Sequence, residues 1–295
     1  MPLPLRSYLY VPANDTDKVG KALASDADAI VLDLEDAVAL DDKDVARDTA
    51  AAVLAASPVK PTYVRVNAAD TGRMMEDAAA VAGAGLAGIR LPKAEDPAVV
   101  SKVARLLADA NCAAPLHLLL ESALGLERGY ALATAAPTVR AIALGEADLA
   151  ADLGSSDPMT MDAARTRCVA TARAAGLAAP VQSAHGRIGD RDGLLTSCLR
   201  GKQLGYFGRS AIHPGQIDVI NEAYLPTEAE VRAATELLES LGSGERAVAV
   251  TRDGRFVDPA VTRLARRVLS IAASYGCRDD RVDPRKPLLR KGVLR

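Results

Sequence analysis

AIVLDLEDAV (residues 29–38), TYVRVNA (62–68), GIRLPKAE (88–95), LHLLLESALG (116–125) and RAIALGEADL (140–149) share one design: an apolar, strand-like run that ends in a charged side chain. The charged groups are Asp33, Glu35 and Asp36, then Arg65, Lys93, Glu121, and Glu146 with Asp148. A charge at the end of one buried strand has local explanations, such as a cap or an ion pair. Five in succession predict a common pocket at one end of a sheet.

Working outward, strand-like runs begin near Ser7, Ala29, Thr62, Gly88, Leu116, Val139, Ala178 and Lys202, which makes eight. Helical stretches lie between most of them: 41–56, 96–110, 158–174 and 190–199 mix Ala, Leu, Val, Arg and Asp, often with Asp at the N-cap and Pro at the first helical position. Alternation of strand and helix predicts an α/β fold with a parallel sheet, and eight units closing on themselves give a (β/α)8 TIM barrel with its chemistry at the C-terminal strand ends. An open doubly wound sheet is the alternative and would bring fewer strand ends into one site.

The expected organisation is a barrel catalytic domain over 1–225, an extension over 226–277 and a basic tail over 278–295. The extension reads as a helix over 227–241, a hairpin in which 247–250 and 255–257 flank Thr251-Arg252-Asp253-Gly254, and a helix from Pro259 to about Tyr275. It is not needed to close eight strands, so it packs on its own barrel or contacts a neighbouring subunit. The tail holds seven Arg/Lys against three Asp, with Pro284 and Pro287, and is expected to be loosely ordered.

At 295 residues the chain is near the upper limit for a single core. Its 49% hydrophobic and 25% charged residues with a net charge of -2 suit a soluble globular protein and argue against nucleic acid as a partner. There is no apolar run of membrane-spanning length and no signal-type core after Met1, so no membrane partner is expected and the cytoplasm is the expected address. Cys112, Cys168, Cys198 and Cys277 stand far apart without zinc spacing and read as packing residues.

Glu121 and Asp148 end neighbouring strands, where two carboxylates can share one cation and leave room for water and substrate oxygens. That is the usual way of holding Mg2+, with Mn2+ an acceptable substitute; ordinary salt bridges or helix caps are the other reading. Arg65 inside Val64-Arg65-Val66-Asn67 offers a fork matched to a substrate carboxylate or a developing enolate oxygen, or else an internal pair with Glu35 or Asp36. The crowding of Asp33, Glu35 and Asp36 has to be relieved by a cation, by Arg65 or Lys93, or by proton sharing. Gly83-Ala84-Gly85-Leu86-Ala87-Gly88 spells G-x-G-x-x-G but enters a strand, so it reads as a decoy for dinucleotide binding. His213 falls at the expected end of the eighth strand, His117 reads as a strand residue and His185 as a loop residue. No Ser or Cys has the partners of a hydrolytic triad. Asp258 before Pro259 has the pattern of an N-cap, or of an acid carried over a site on a mobile arm.

YLYVPAND, KVGKAL, DLEDAV, ARD, YVRVN, LPKAE, LLLESALGL, ALGEADLAADLG, GRSAIHPGQI and GRFVDPAV occur in this order from about Ser7 to Leu269. Together they resemble the citrate lyase beta subunit (CitE-like) family, related to the malyl-CoA and citramalyl-CoA lyases of the HpcH/HpaI aldolase superfamily. The resemblance implies a Mg2+-dependent carbon–carbon lyase, usually trimeric, acting on a β-hydroxyacyl thioester such as citramalyl-CoA, malyl-CoA or a citryl thioester. It implies Glu121 and Asp148 as metal ligands, Arg65 as the substrate-holding arginine and Glu35 as its acidic partner. Asp258 corresponds to an acid supplied by an adjacent subunit, and Asn14 and Lys18 to part of the CoA-binding edge. A pyruvate-type class II aldolase acting on free 2-keto acids is one alternative. A beta subunit working only in a citrate lyase complex, on an acyl-carrier-protein thioester, is another.

Overall fold

The computed structural model describes residues 4–240, 249–250, 256–257 and 259–277. The chain divides into two compact units: Leu5–Tyr224, and a second that takes in Leu225 onward together with Pro4.

The first unit is built on a parallel sheet of seven strands: β1 (Ser7–Pro12), β2 (Ala29–Asp33), β3 (Thr62–Arg65), β4 (Leu86–Leu91), β5 (Leu116–Leu120), β6 (Val139–Leu144) and β7 (Arg209–Ala211). Their order in the sheet is β6-β5-β4-β3-β2-β1-β7, so each of the first six strands lies beside its sequence neighbours. All five residues of β2 and all five of β5 are buried, as expected of parallel strands covered on both faces. Side chains alternate between the faces. Ile30 and Leu32, or Leu116, Leu118 and Leu120, lie on one face and are at most 0% exposed, each such burial contributing about 1.5–3 kcal/mol. The other face curls on itself, since Arg90 of β4 reaches Tyr10 of β1 and Ser210 of β7 across three and four strand positions. Tyr8, Ala29, Val31, Tyr63 and Val181 form a core cluster within that concavity.

Ten helices accompany the sheet: α1 (Thr16–Ala24), α2 (Lys43–Ala55), α3 (Met74–Val81), α4 (Pro97–Asp109), α5 (Ala123–Glu127), α6 (Gly129–Ala133), α7 (Glu146–Leu153), α8 (Pro158–Ala174), α9 (Arg191–Leu204) and α10 (Ile217–Ala223). The Asp-before-helix signal is realised as side-chain capping: Asp96 accepts from the Ala98 amide at 2.8 Å, Asp157 from Met159 at 2.9 Å and Asp190 from Gly193 at 2.9 Å. Gly83 and Gly85 follow α3 and lead into β4, where no helix N-terminus is available for a pyrophosphate.

Two of the eight expected strands differ. The run from Ala178 contributes a single parallel bridge, Gln182 to Arg209: Pro180 has no N–H to donate and only accepts from the Phe207 amide at 3.0 Å, and Gln182 bonds to Gly208 and Ser210. Lys202, expected to open the last strand, lies inside α9. That helix ends at Gly205, whose φ of 102° is the left-handed C-terminal cap, and the strand starts at Arg209.

In the second unit, α11 (Glu228–Ser240) packs against α12 (Pro259–Ser274). The short strands β8 (Ala249–Val250) and β9 (Phe256–Val257) pair antiparallel. Among the described residues, no helix is long and apolar enough to cross a membrane.

Candidate active site

The C-terminal ends of β2 to β5 gather the charged groups. Asp33 and Arg65 are register partners on β2 and β3, so their side chains meet. The Arg65 Nε and Nη2 both donate to the Asp33 carboxylate at 2.7 Å, a bidentate pair, and Nη1 donates to Asp36 at 3.1 Å. Asp33, 1% exposed, also accepts from the amides of Glu35 (3.0 Å) and Ala37 (3.1 Å), which turns the chain out of β2. Asp33 is therefore the principal partner of Arg65, ahead of the Glu35 and Asp36 pairing expected from sequence. Three of the five guanidinium N–H groups are used in this way. The arginine is held with its pKa raised far above the ordinary value, by the hydrogen bonds and charge of Asp33 acting against burial.

Glu35 is buried and bridges two cations. Its Oε1 accepts from the Lys93 Nζ at 3.0 Å, and its Oε2 lies 3.0 Å from Arg65 Nη1 without a hydrogen bond. Burial raises its pKa, opposed by Arg65 and Lys93. Lys93 also turns its backbone toward the site: with φ at +47°, an unusual conformation for a side-chain-bearing residue, its amide donates to Glu121 Oε2 at 2.9 Å. One residue thus ties together two acids that sit on different strands.

Glu121 is 5% exposed, and its side chain lies across Gly145, where a Cβ would stand 2.3 Å from Glu121 Oε1. A side chain at 145 would have to displace this carboxylate, a coupling across 24 residues that no local pattern announces. Burial first, and then the charge of Glu35, push the Glu121 pKa up to about 7, with Asp148 adding a smaller rise. Asp148 is exposed on the first turn of α7 and shares with Glu121 and Lys93 a cleft of about 390 Å3. Six acids line it, Asp70, Glu95, Asp96, Glu121, Asp148 and Asp152, against Lys93 as the one basic residue. A negative concavity of this kind favours a cation over a phosphate-bearing ligand.

These residues fit an oxygen-preferring divalent cation. Glu121 Oε1 accepts no hydrogen bond from the described residues, Glu35 Oε2 is buried without one, and the Lys93 amide and the charge of Arg65 offset only part of the pressure on Glu121. Among the described residues no group of three His, Cys, Asp or Glu is arranged to hold a metal ion, and the two carboxylates Glu121 and Asp148 share the cleft. Glu146, grouped with Asp148 in the sequence, is occupied elsewhere: it forms a two-pronged pair with Arg165.

Asn14 and Lys18 follow β1, whose Pro12 is in register with Asp33, so they stand at the same end of the sheet. Asn14 donates to Asp42 at 3.1 Å, and Lys18 pairs with Asp15 at 2.8 Å with its side chain 62% exposed. His213 is exposed and caps the following turn by accepting from Gly215 at 3.0 Å. His117 is buried beside Tyr63, with ring centroids 4.9 Å apart, and burial drives its pKa down to about 3. Cys168 and Cys198 are buried and all four cysteines are free. Asp258 lies outside the described residues.

The family profile described as HpcH/HpaI aldolase/citrate lyase matches residues 6–214. A (3S)-malyl-CoA thioesterase of Cereibacter sphaeroides (strain ATCC 17025 / ATH 2.4.3) is 35% identical over 284 residues, covering 92% of this chain and 97% of the relative. The citrate lyase subunit beta of Escherichia coli (strain K12) is 34% identical over 289 residues, covering 93% and 95%. Among solved structures, the CitE protein of Mycobacterium tuberculosis in complex with magnesium, acetoacetate and coenzyme A superposes with a TM-score of 0.77 at 30% identity, over 92% of this chain and 98% of that one.

Proposed function

Because the chain belongs to the HpcH/HpaI aldolase/citrate lyase family and is an enzyme of the lyase kind, we propose that it is a Mg2+-dependent lyase that cleaves a carbon–carbon bond in a β-hydroxyacyl-CoA thioester of the malyl or citramalyl type. The observation that carries this reading is the Glu121 carboxylate, buried, charge-crowded and held by the Lys93 amide with one oxygen left open toward Asp148's cleft. The magnesium and coenzyme A named with the Mycobacterium tuberculosis relative support the choice of cofactor and of thioester.

Glu121 and Asp148 would hold the cation. Bound there, Mg2+ would supply Lewis acidity toward the substrate's hydroxyl and carboxylate oxygens. In retro-Claisen cleavage the 3-hydroxyl loses its proton, the C2–C3 bond breaks, and its electron pair passes into the acetyl thioester as an enolate. Arg65, fixed by Asp33 and flanked by Glu35, would place its remaining N–H donors against the developing negative charge. The enolate carbon then takes a proton, and Asp258 is the assigned donor, carried by the extension of a neighbouring subunit in a homotrimer. Asn14 and Lys18 would lie along the CoA edge, away from the acidic cleft. The fold behind this reading is the (β/α)8 barrel over 1–225, with the Gln182 segment as its seventh strand. The extension over 226–277 serves the partner's site.

A second reading is favoured by the name of the Cereibacter relative: hydrolysis of the thioester in the same pocket. One assay separates the two. Malyl-, citramalyl- and citryl-CoA are incubated with enzyme and Mg2+, and both keto acid and free thiol are followed. Lyase action releases a keto acid and leaves the thioester intact as acetyl-CoA; hydrolysis releases thiol and no keto acid. Turnover of a carrier-protein thioester alone would instead assign the chain to a citrate lyase complex, and turnover of free 2-keto acids alone would assign it to the aldolases. Release of neither product from any thioester would overturn the proposal.

A further inference from the structure

Beneath the charged rim, Arg90 is 1% exposed on the concave face of the sheet. Among the described residues no carboxylate lies within ion-pair distance of it, unlike Arg65 one strand away in the same register row. Its Nη1 donates to the Tyr10 hydroxyl at 2.7 Å and to the Ser210 hydroxyl at 3.2 Å, its Nε has no partner, and its guanidinium stacks over the rings of Tyr8 (4.9 Å) and Tyr10 (5.4 Å). A buried cation left without an anion is costly, and rings and hydroxyls offset only part of that cost.

The hydroxyl geometry says what is missing. Tyr10 and Ser210 each give an oxygen lone pair to the same Arg90 nitrogen, so each keeps its own O–H hydrogen for another acceptor. Neither hydroxyl donates to any described protein group. Two O–H donors set beside one another by the same nitrogen, and backed by a buried positive charge, suit an anion. Tyr10 also ties it to the rim, because Arg65 stacks on the same ring at 5.2 Å.

The geometry points to a carboxylate-binding floor made by Tyr10 and Ser210, with Arg90 as the residue that positions both hydroxyls. The anion it takes is the carboxylate of a small 2-oxo acid; this choice of ligand rests on the proposed lyase reaction, which produces such an acid. Tyr10 and Ser210 would touch it directly. Arg90 would act through them and would confine the ligand to a compact head group that fits under Arg65.

The test is calorimetric titration of the full chain, with Mg2+ present, by glyoxylate and separately by pyruvate. Tyr10→Phe keeps the ring that stacks under Arg65 and removes only the hydroxyl; Ser210→Ala is the companion. Tyr10→Phe is expected to weaken binding of the better ligand roughly tenfold or more, with an unchanged thermal melt, and the double variant more than either single one. Arg90→Lys should retain more affinity than Arg90→Gln, and Tyr10→Phe carries the test should the Arg90 variants not fold. Binding of neither acid by the wild type, or binding by Tyr10→Phe within about twofold of the wild type, would overturn the assignment. A chain that binds glyoxylate through Tyr10 yet cleaves no thioester sinks the lyase reading and keeps the floor; an active lyase indifferent to Tyr10→Phe does the reverse.

Discussion

The rim and the floor of the concave face hold their charges by opposite means. At the rim every cation has acids beside it: Arg65 has Asp33, Glu35 and Asp36, and Lys93 has Glu35. On the floor, Arg90 has two hydroxyls and two aromatic faces, and His117 stays neutral against Tyr63. The difference teaches that the rim is built around an excess of negative charge, which calls for a cation, whereas the floor has an excess of positive charge, which calls for an anion. A substrate that carries a carboxylate and is held by Mg2+ answers both demands at once.

The sharpest way to break this contrast is to remove the rim's open carboxylate. Glu121→Gln preserves volume and the acceptor for the Lys93 amide but deletes the charge, and Mg2+-dependent turnover should fall roughly a thousandfold or more, read at saturating metal. Full activity in this variant would mean that the rim's negative excess serves only folding.

Gly145→Ala comes next. The added methyl must push the Glu121 carboxylate aside, since a Cβ there meets Oε1 at 2.3 Å. Apparent Mg2+ affinity should weaken by roughly 10- to 100-fold while the melting temperature moves little, as measured by metal titration of activity. An unchanged metal dependence would show that Glu121 does not need its present orientation.

The two regions were unequally legible in the sequence. Asp33, Arg65, Lys93 and Glu121 announced themselves because charge at the end of an apolar run is rare and repeats from strand to strand. The Asp33–Arg65 pairing was not readable, because it depends on the register between β2 and β3, which the residues of neither strand state alone. Arg90 lies inside GIRLPKAE, within the apolar run and ahead of its charged end, and its partners are 80 and 120 residues away. Gly145 looks like an ordinary loop glycine until Glu121 is laid over it. The segment at Ala178 has the apolar letters of a strand but makes one bridge, and Lys202 sits among strand-like letters but belongs to a helix that runs on to the Gly205 stop.

The floor's contribution to stability is accessible through pH. His117 has its folded pKa lowered from 6.5 to about 3, so it is neutral in the native state while the unfolded chain takes up a proton below about pH 6.5. The unfolded state then binds more protons between those limits. The stabilisation from keeping His117 neutral is therefore complete above pH 6.5 and is lost as the pH falls, by up to about 1.4 kcal/mol per pH unit. Denaturant unfolding at pH 7 and pH 5 should show a smaller acid loss for His117→Leu than for the wild type; equal losses would place the acid sensitivity outside His117.

The smallest effect sharpens the comparison at Lys93, where rim function is set by a strained backbone as well as by charge. Its φ of +47° aims the amide at Glu121, and its ammonium holds Glu35, so Ala and Gly substitutions separate the two roles. Both remove the ammonium. Only Gly relaxes the left-handed conformation, and Lys93→Gly should therefore be more stable than Lys93→Ala by about 1 kcal/mol in denaturant unfolding. If the strain serves to present the amide to Glu121, the two variants should nonetheless have similar Mg2+ affinities, because glycine adopts the same φ without cost and the Lys93 N–H is kept in both. A much weaker metal affinity in Lys93→Gly would mean that the side chain's packing, rather than the backbone conformation, aims the amide. Lys93 would then belong with the charged pairs of the rim and would have no separate part in positioning Glu121.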